Sequence, residues 1–256
     1  ESVIYEKKFP LSLLFCNNCR TGLVKEVISP EQLFTNIGVK NTYFYYSSLI
    51  PTLKTHMAEL GDYIIQLMNN GNNNSITEIG CNDGVLLNYL NTKLPNNSKI
   101  IGVDPSHTIK EITNKNIITY NTFFGKRILK KIKNTYGKQD FIISCNCLAH
   151  VDNVHEVYTS MKKLLAEDGR VIIEVHYLKK IIDELNFDFI YHEHMSYYTI
   201  GTIVQICKNH DFYLEQVTFP EIHGGSIRAT LRHLRETDTS TYNDTLQSFI
   251  DTELTL

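Results

Sequence analysis

Glu78-Ile79-Gly80-Cys81-Asn82-Asp83-Gly84 joins a short β-like run, Ser75–Ile79, to a helical one, Val85–Leu94. Gly80 and Gly84 let the backbone turn tightly and approach a ligand closely. About twenty residues on, Lys99–Val103 forms a second strand that ends at Asp104, where a carboxylate can accept hydrogen bonds from both hydroxyls of a ribose. Asn116–Thr119, Asp140–Ser144 and Arg170–Val175 read as further strands, and Val154–Leu165 and Thr202–His210 as helices. Apolar strands alternating with helices predict a doubly wound parallel sheet. Tyr213–Thr218 and Ser226–Leu234 are separated by too short a loop for a crossover helix, so they are expected to form an antiparallel hairpin.

The loop is too poor in glycine for the G-x-G-x-x-G pattern of a dinucleotide site, and an acidic residue precedes it. It suits a nucleoside better than a pyrophosphate. Adenosylmethionine carries no phosphate and is cationic at sulfur, so Glu78 and Asp83 are acceptable neighbours for it. Ligands of an open α/β sheet sit beyond the carboxyl ends of the strands. Asn146-Cys147-Leu148-Ala149-His150 follows the fourth strand, His176 the fifth, and Pro220-Glu221-Ile222-His223-Gly224-Gly225-Ser226 the sixth. The expected cofactor contacts are Glu78, Gly80, Cys81, Asn82, Gly84, Asp104, Pro105, Asn146 and His150, with His176 structural.

Phe187-Asp188-Phe189-Ile190-Tyr191-His192-Glu193-His194-Met195-Ser196-Tyr197-Tyr198 interrupts the path from the fifth strand to its helix. Two imidazoles, a carboxylate and three phenols crowd into eight of its residues, and each can move or hold a proton. Three readings compete: a catalytic acid/base cluster, a His-x-His metal pair through His192 and His194, or a polar aromatic loop without chemistry. Composition is that of a soluble globular chain, 42% hydrophobic and 21% charged. A net charge of −3 without a basic run argues against nucleic acid. With no apolar run of membrane-spanning length and no signal peptide, a cytoplasmic protein is expected. Six cysteines are too few for a disulfide scaffold, and only Cys16-Asn17-Asn18-Cys19 has metal-knuckle spacing. That is half of a four-ligand zinc set. Asn41-Thr42-Tyr43-Phe44-Tyr45-Tyr46-Ser47-Ser48 is an aromatic patch with hydroxyls, suited to a sugar, a base or a neighbouring surface. Leu53, Met57, Leu60, Ile64 and Leu67 have helical spacing over Pro51–Met68, and Asn69–Asn74 reads as a loop.

A sheet of this kind with an antiparallel last strand looks like the class I methyltransferase arrangement. Glu78–Gly84, Gly102-Val103-Asp104-Pro105-Ser106, Ala149-His150-Val151-Asp152, Phe187–His194 and Ile222-His223-Gly224-Gly225-Ser226-Ile227-Arg228 extend the likeness. Over about Phe9 to Leu234 the chain resembles the adenosylmethionine-dependent sugar C-methyltransferases of deoxysugar biosynthesis, which act on nucleotide-linked keto-sugars. The resemblance implies a Rossmann-like, seven-stranded class I domain over residues 66–236. It also implies a small zinc-ribbon-like substrate domain over 1–65, to which Cys16 and Cys19 would contribute a partial structural zinc site. Residues 237–256 are expected to open a C-terminal domain, with Leu246, Phe249, Ile250 and Leu254 on one side of a helix. Tyr191, Glu193 and His194 are implied in catalysis, with His194 as the base. C-methylation beside a ketone needs an enolate, and His192, His223, Gly224 and Gly225 are candidates to hold its oxygen. Arg228 could pair with the diphosphate, and Tyr46 could meet the sugar. A monomer without a catalytic metal is expected.

Overall fold

The computed structural model describes residues 8–34, 43–68, 74–238 and 244–253. Asn41, Thr42 and most of the Asn-rich loop at 69–74 lie outside them, as does Leu254. Two short strands come first, β1 (Leu13–Phe15) and β2 (Gly22–Val24), turned back on each other through Cys16–Cys19, and α1 (Pro30–Phe34) follows. Helix α2 (Pro51–Leu67) starts on a proline, whose fixed φ suits the first helical turn. Its buried Leu53, Met57, Leu60 and Ile64 form one stripe. That stripe packs with Leu86, Leu87, Ile100 and Ile143 in the core on one side of the main sheet. The helix placed with the N-terminal segment by its sequence therefore packs with the sheet.

From β3 (Ser75–Ile79) strands and helices alternate: α3 (Val85–Lys93), β4 (Lys99–Asp104), β5 (Ile117–Asn121), α4 (Lys126–Tyr136), β6 (Gln139–Cys145), α5 (Val154–Leu164) and β7 (Leu165–His176). After α6 (Leu178–Asp183) and β8 (Ser196–Tyr197) come α7 (Ile200–His210), β9 (Phe212–Thr218), β10 (Ser226–His233) and α8 (Asp244–Thr252). The main sheet has seven strands in the order β5-β4-β3-β6-β7-β10-β9. The first five are parallel, and β10 runs antiparallel between β7 and β9. The predicted sheet and hairpin are both present. No helix among the described residues is long and apolar enough to cross a membrane.

Two features depart from expectation. The fifth strand begins at Leu165, not Arg170, and α4 was not anticipated at all. Its buried residues are only Ile128, Leu129 and Ile132, a narrow stripe in a basic surround. Between Lys126 and Lys138 six residues are Lys or Arg and none is Asp or Glu. The chain does carry a basic run, hidden in the whole-chain charge.

A second, smaller sheet fixes the inserted stretch. Strand β8 pairs antiparallel with β2, Gly22 opposite Tyr197 and Leu23 opposite Ser196. The Val24 amide donates to the Met195 carbonyl (3.0 Å), and the Met195 amide to Ala149 (2.7 Å). The N-terminal hairpin and the loop after β6 thus grip Met195 from both sides.

Candidate active site

Three residues in the β3–α3 turn take positive φ: Gly80 (75°), Asn82 (50°) and Gly84 (79°). A Cβ on Gly80 would lie 2.6 Å from the Cys147 Cβ, so no larger residue fits there. Gly84 sits behind the turn against Ile112 and starts α3. The Asp104 carboxylate ends β4 and accepts from the amides of Asn82 and Ser106 (both 2.8 Å) and from the Ser106 hydroxyl (2.5 Å). Burial pushes its pKa up, and these hydrogen bonds oppose the shift. Glu78 is buried beside it. One of its oxygens, Oε2, has no hydrogen-bond partner, and burial with the Asp104 and Asp83 charges holds its pKa well above the usual range.

A cavity of about 360 Å³ opens from this turn. Glu78, Gly80, Cys81, Asn82, Asp104 and Pro105 form one side, Asn146 and His150 another, and Phe34, Tyr43 and Tyr45 close over it. Phe123 and Phe124, just past β5, add two rings. Among the described residues no Lys or Arg lines the cavity, whereas Glu31, Glu78, Asp104, Asp152 and Glu156 do. This donor set fits a phosphate-free, cationic nucleoside such as adenosylmethionine and disfavours a dinucleotide.

The aromatic patch corrects one expectation. In the extended backbone before Ser47 alternate residues face opposite ways. Tyr43 and Tyr45 face the cavity, whereas the Tyr46 hydroxyl meets His107 Nε2 at 3.0 Å. Asn82 clips this segment down: its Nδ2 donates to Tyr45 O (2.9 Å) and its Oδ1 accepts from the Ser47 amide (3.0 Å). Asp83 accepts from the Ser48 amide at 3.1 Å.

At 191–194 the chain makes a tight turn, with the His194 amide donating to Tyr191 O (3.0 Å). The turn brings the two side chains together. His194 Nδ1 lies 2.8 Å from the Phe189 carbonyl, an acceptor only, so Nδ1 carries the proton. Nε2 then accepts from the Tyr191 hydroxyl at 3.0 Å. His194 is buried and Tyr191 is 38% exposed, so the phenol faces outward and the imidazole inward. Burial, then the neighbouring His150, lowers the His194 pKa to about 4, and burial raises Tyr191 to about 12. Both are neutral at physiological pH. Glu193 is half-buried with a raised pKa, and its carbonyl accepts from His150 Nδ1 (2.6 Å).

His150 joins the two halves, since it lines the cavity and its ring centroid lies 5.0 Å from that of His194. His176 lies 4.5 Å from His194 on the other side, and His223 5.7 Å beyond it. Burial, then three neighbouring imidazoles, lowers His176 to about 2.

Other expected site residues are placed elsewhere or already engaged. His192 Nε2 donates to Pro10 O (2.8 Å), away from His194, so the two do not chelate from one face. The Gly225 amide donates to Ile222 O. Gly224 and Gly225 have φ of 69° and 104°, and added Cβ atoms would strike Phe189 and Lys180, so these glycines seat the β9–β10 loop against the insert. Arg228 stands opposite Glu174 in the sheet and pairs with its carboxylate, whose other oxygen meets His56 Nε2 of α2 at 2.6 Å. Glu174 is fully buried, so both partners are committed to it. Cys16 and Cys19 lie together in the β1–β2 turn. Among the described residues no group of three or more His, Cys, Asp or Glu could hold a metal ion, so the expected zinc site finds no support there beyond these two thiols. Sequence reading put Tyr43 and Tyr45 in a candidate sugar or base patch without assigning them to the cofactor cavity, and it missed Phe123 and Phe124. The last two sit on the carboxyl rim of β5, where that rule could have found them.

A model of the methyltransferase domain family matches residues 53–217. The chain is 29% identical over 223 residues to the C-methyltransferase NovU of Streptomyces niveus, an alignment covering 87% of this chain and 51% of that protein. The chain thus spans about half the length of the curated relative it matches. Among solved structures, magnesium protoporphyrin IX methyltransferase (ChlM) of Synechocystis PCC 6803, with bound adenosylhomocysteine, aligns with a TM-score of 0.51 and 14% identity over 70% of this chain and 83% of its own. An adenosylmethionine-dependent methyltransferase of Anabaena variabilis aligns with a TM-score of 0.54 and 17% identity, over 70% and 85%. Those two likenesses bear on the fold alone. With the seven-stranded topology, the glycine turn and a family match across most of the sheet, the chain belongs to the methyltransferase domain family, in the class I fold of adenosylmethionine-dependent enzymes.

Proposed function

We propose that this domain methylates carbon beside the ketone of a nucleotide-linked keto-deoxysugar. The observation that carries the reading is the Tyr191–His194 hydrogen bond, which adjoins the carboxylate-lined cavity through His150. The similarity to a C-methyltransferase supports it. Adenosylmethionine, when bound, supplies an electrophilic methyl on its sulfonium. Asp104 holds the ribose, Glu78 and the Gly80 turn shape the adenosyl site, and Tyr43 and Tyr45 exclude water above it. A carbon acid beside a ketone must lose a proton to become a nucleophile. His194 takes it as general base, either directly or through Tyr191. In the second route the phenolic oxygen receives the substrate proton while its own passes to Nε2, and the phenol stays neutral. The Phe189 carbonyl stabilises the imidazolium that results, through Nδ1–H. Glu193 bears on the same turn. His223 remains the candidate donor to the enolate oxygen, worth roughly 3 kcal/mol if well placed.

Transfer to oxygen or nitrogen needs no enolate, and isotope exchange separates the classes. Incubation of the protein with keto-sugar nucleotides in deuterated water should exchange the α proton. His194→Ala should abolish exchange and turnover while adenosylhomocysteine still binds. Methyl transfer without any exchange, unaltered by His194→Ala, would refute the enolate reading.

A further inference from the structure

Two residues of the basic run of α4, Arg127 and Lys131, lie beside β5, the edge strand of the main sheet. Lys126, Arg127, Lys130, Lys131 and Lys133 are all exposed, and only Lys126 has a carboxylate partner among the described residues, Glu156 at 3.8 Å. Arg127 and Lys131 are four apart and so share one face of the helix, where like charges repel. Between them and β5 lies a second cavity, of about 330 Å³, lined by Tyr120, Asn121, Thr122, Arg127, Ile128 and Lys131. The Lys131 ammonium lies 4.8 Å from the Tyr120 ring centroid, which keeps it against the edge strand. Arg127 presents a fork of donors, Lys131 a point charge and Thr122 a hydroxyl. This lining is opposite in character to that of the cofactor cavity, which has carboxylates and no cation. The two sites share a wall. The Asn121 Nδ2 donates to the carbonyls of Asp104 (2.9 Å) and Ser106 (2.7 Å), and the Thr122 amide to Asp104 (3.0 Å).

We propose that the recess between β5 and α4 is a second ligand site, for a small phosphorylated molecule. A recess of this size with two converging cations suits one or two phosphate groups better than the extended backbone of a polymer. It is independent of the methyl-transfer site and of the acceptor assigned to it.

The test is calorimetric titration of the 256-residue chain with inorganic pyrophosphate, after saturation with adenosylhomocysteine so that the cofactor cavity is closed to the probe. Saturable one-to-one binding is expected, weakened about tenfold or more in Arg127→Gln/Lys131→Gln. Lys130→Gln/Lys133→Gln, which removes the same charge outside the recess, should leave it within about twofold, as expected of screened surface charges. Absence of saturable binding overturns the proposal. Equal weakening by both double variants also does, because it marks the diffuse field of a solvated helix. Tight binding of single-stranded RNA or of phosphatidylserine vesicles without saturable pyrophosphate binding would make α4 a macromolecular face and reject the small-ligand site.

Discussion

The effect on stability of replacing His176 by Phe should shift in the variant's favour as pH falls. His176 is buried, and its folded pKa of about 2 lies far below the ordinary imidazole value of 6.5 that it resumes on unfolding. Between those values the unfolded chain binds one more proton than the folded one. Stability therefore rises with pH through this window and is lost as pH falls below about 6.5, at roughly 1.4 kcal/mol per pH unit. From pH 7.5 to pH 5 this single group costs the native state about 2 kcal/mol, a large share of a typical 5–15 kcal/mol. His176→Phe removes the titration but keeps a ring against Phe189, whose centroid lies 5.1 Å away. Urea unfolding of both proteins at pH 7.5, 6 and 5 gives the difference directly. The raised carboxylates of Glu78 and Asp104 act in the opposite direction but are common to both proteins and cancel. The variant should gain about 2 kcal/mol on the parent across this range. Parallel stability curves would show that His176 is protonated or solvated in the folded protein, and the neutral imidazole row would fall with it.

Three further outcomes follow from the geometry. Gly80→Ala should lower the thermal midpoint by several degrees and weaken adenosylhomocysteine binding, because φ is 75° and the new methyl meets Cys147. Asp104→Asn should weaken that binding about tenfold or more without a comparable fall in stability, since an amide cannot accept from the Asn82 and Ser106 amides and a ribose together. Glu174→Gln leaves Arg228 and His56 facing a neutral amide in a closed site, and should destabilise by about 3–5 kcal/mol in denaturant unfolding.

The cofactor half of the site was legible because its signals are local. A glycine turn after an apolar strand, and an acid at the end of the next, specify positions that neighbouring residues enforce. The residues proposed for catalysis were legible as types, but their contact was not. Tyr191 and His194 meet only because the chain turns between them, and that turn is held by β2, nearly 170 residues earlier, and by Ala149. Arg228 illustrates the same limit. A cation in a glycine-rich rim loop reads as a phosphate ligand until the register of β10 sets it opposite Glu174. Tyr46 failed for a simpler reason, since alternation along an extended segment decides which of Tyr43, Tyr45 and Tyr46 face inward. Helix α4 escaped because its five cations leave only a narrow apolar stripe to see.

The placement of the imidazoles joins stability to chemistry. A buried histidine in contact with others cannot be charged cheaply, so burial, then His150 and His223, keep His194 neutral and able to accept a proton in the proposed reaction. The same environment makes His194 a weak base at rest. Two features reduce that handicap when the proton arrives: the Phe189 carbonyl on Nδ1–H, and the Tyr191 hydroxyl on Nε2. Both come from the insert itself, and the turn sits between the N-terminal hairpin and the loop after β6. Loosening β8 from β2 would therefore reach the base before it reached the adenosyl cavity, whose walls belong mostly to the parallel strands. A pairing defect at Leu23–Ser196 should thus lower kcat while leaving adenosylhomocysteine affinity near its original value. Equal losses in both would mean that the hairpin supports the whole domain and not this turn in particular.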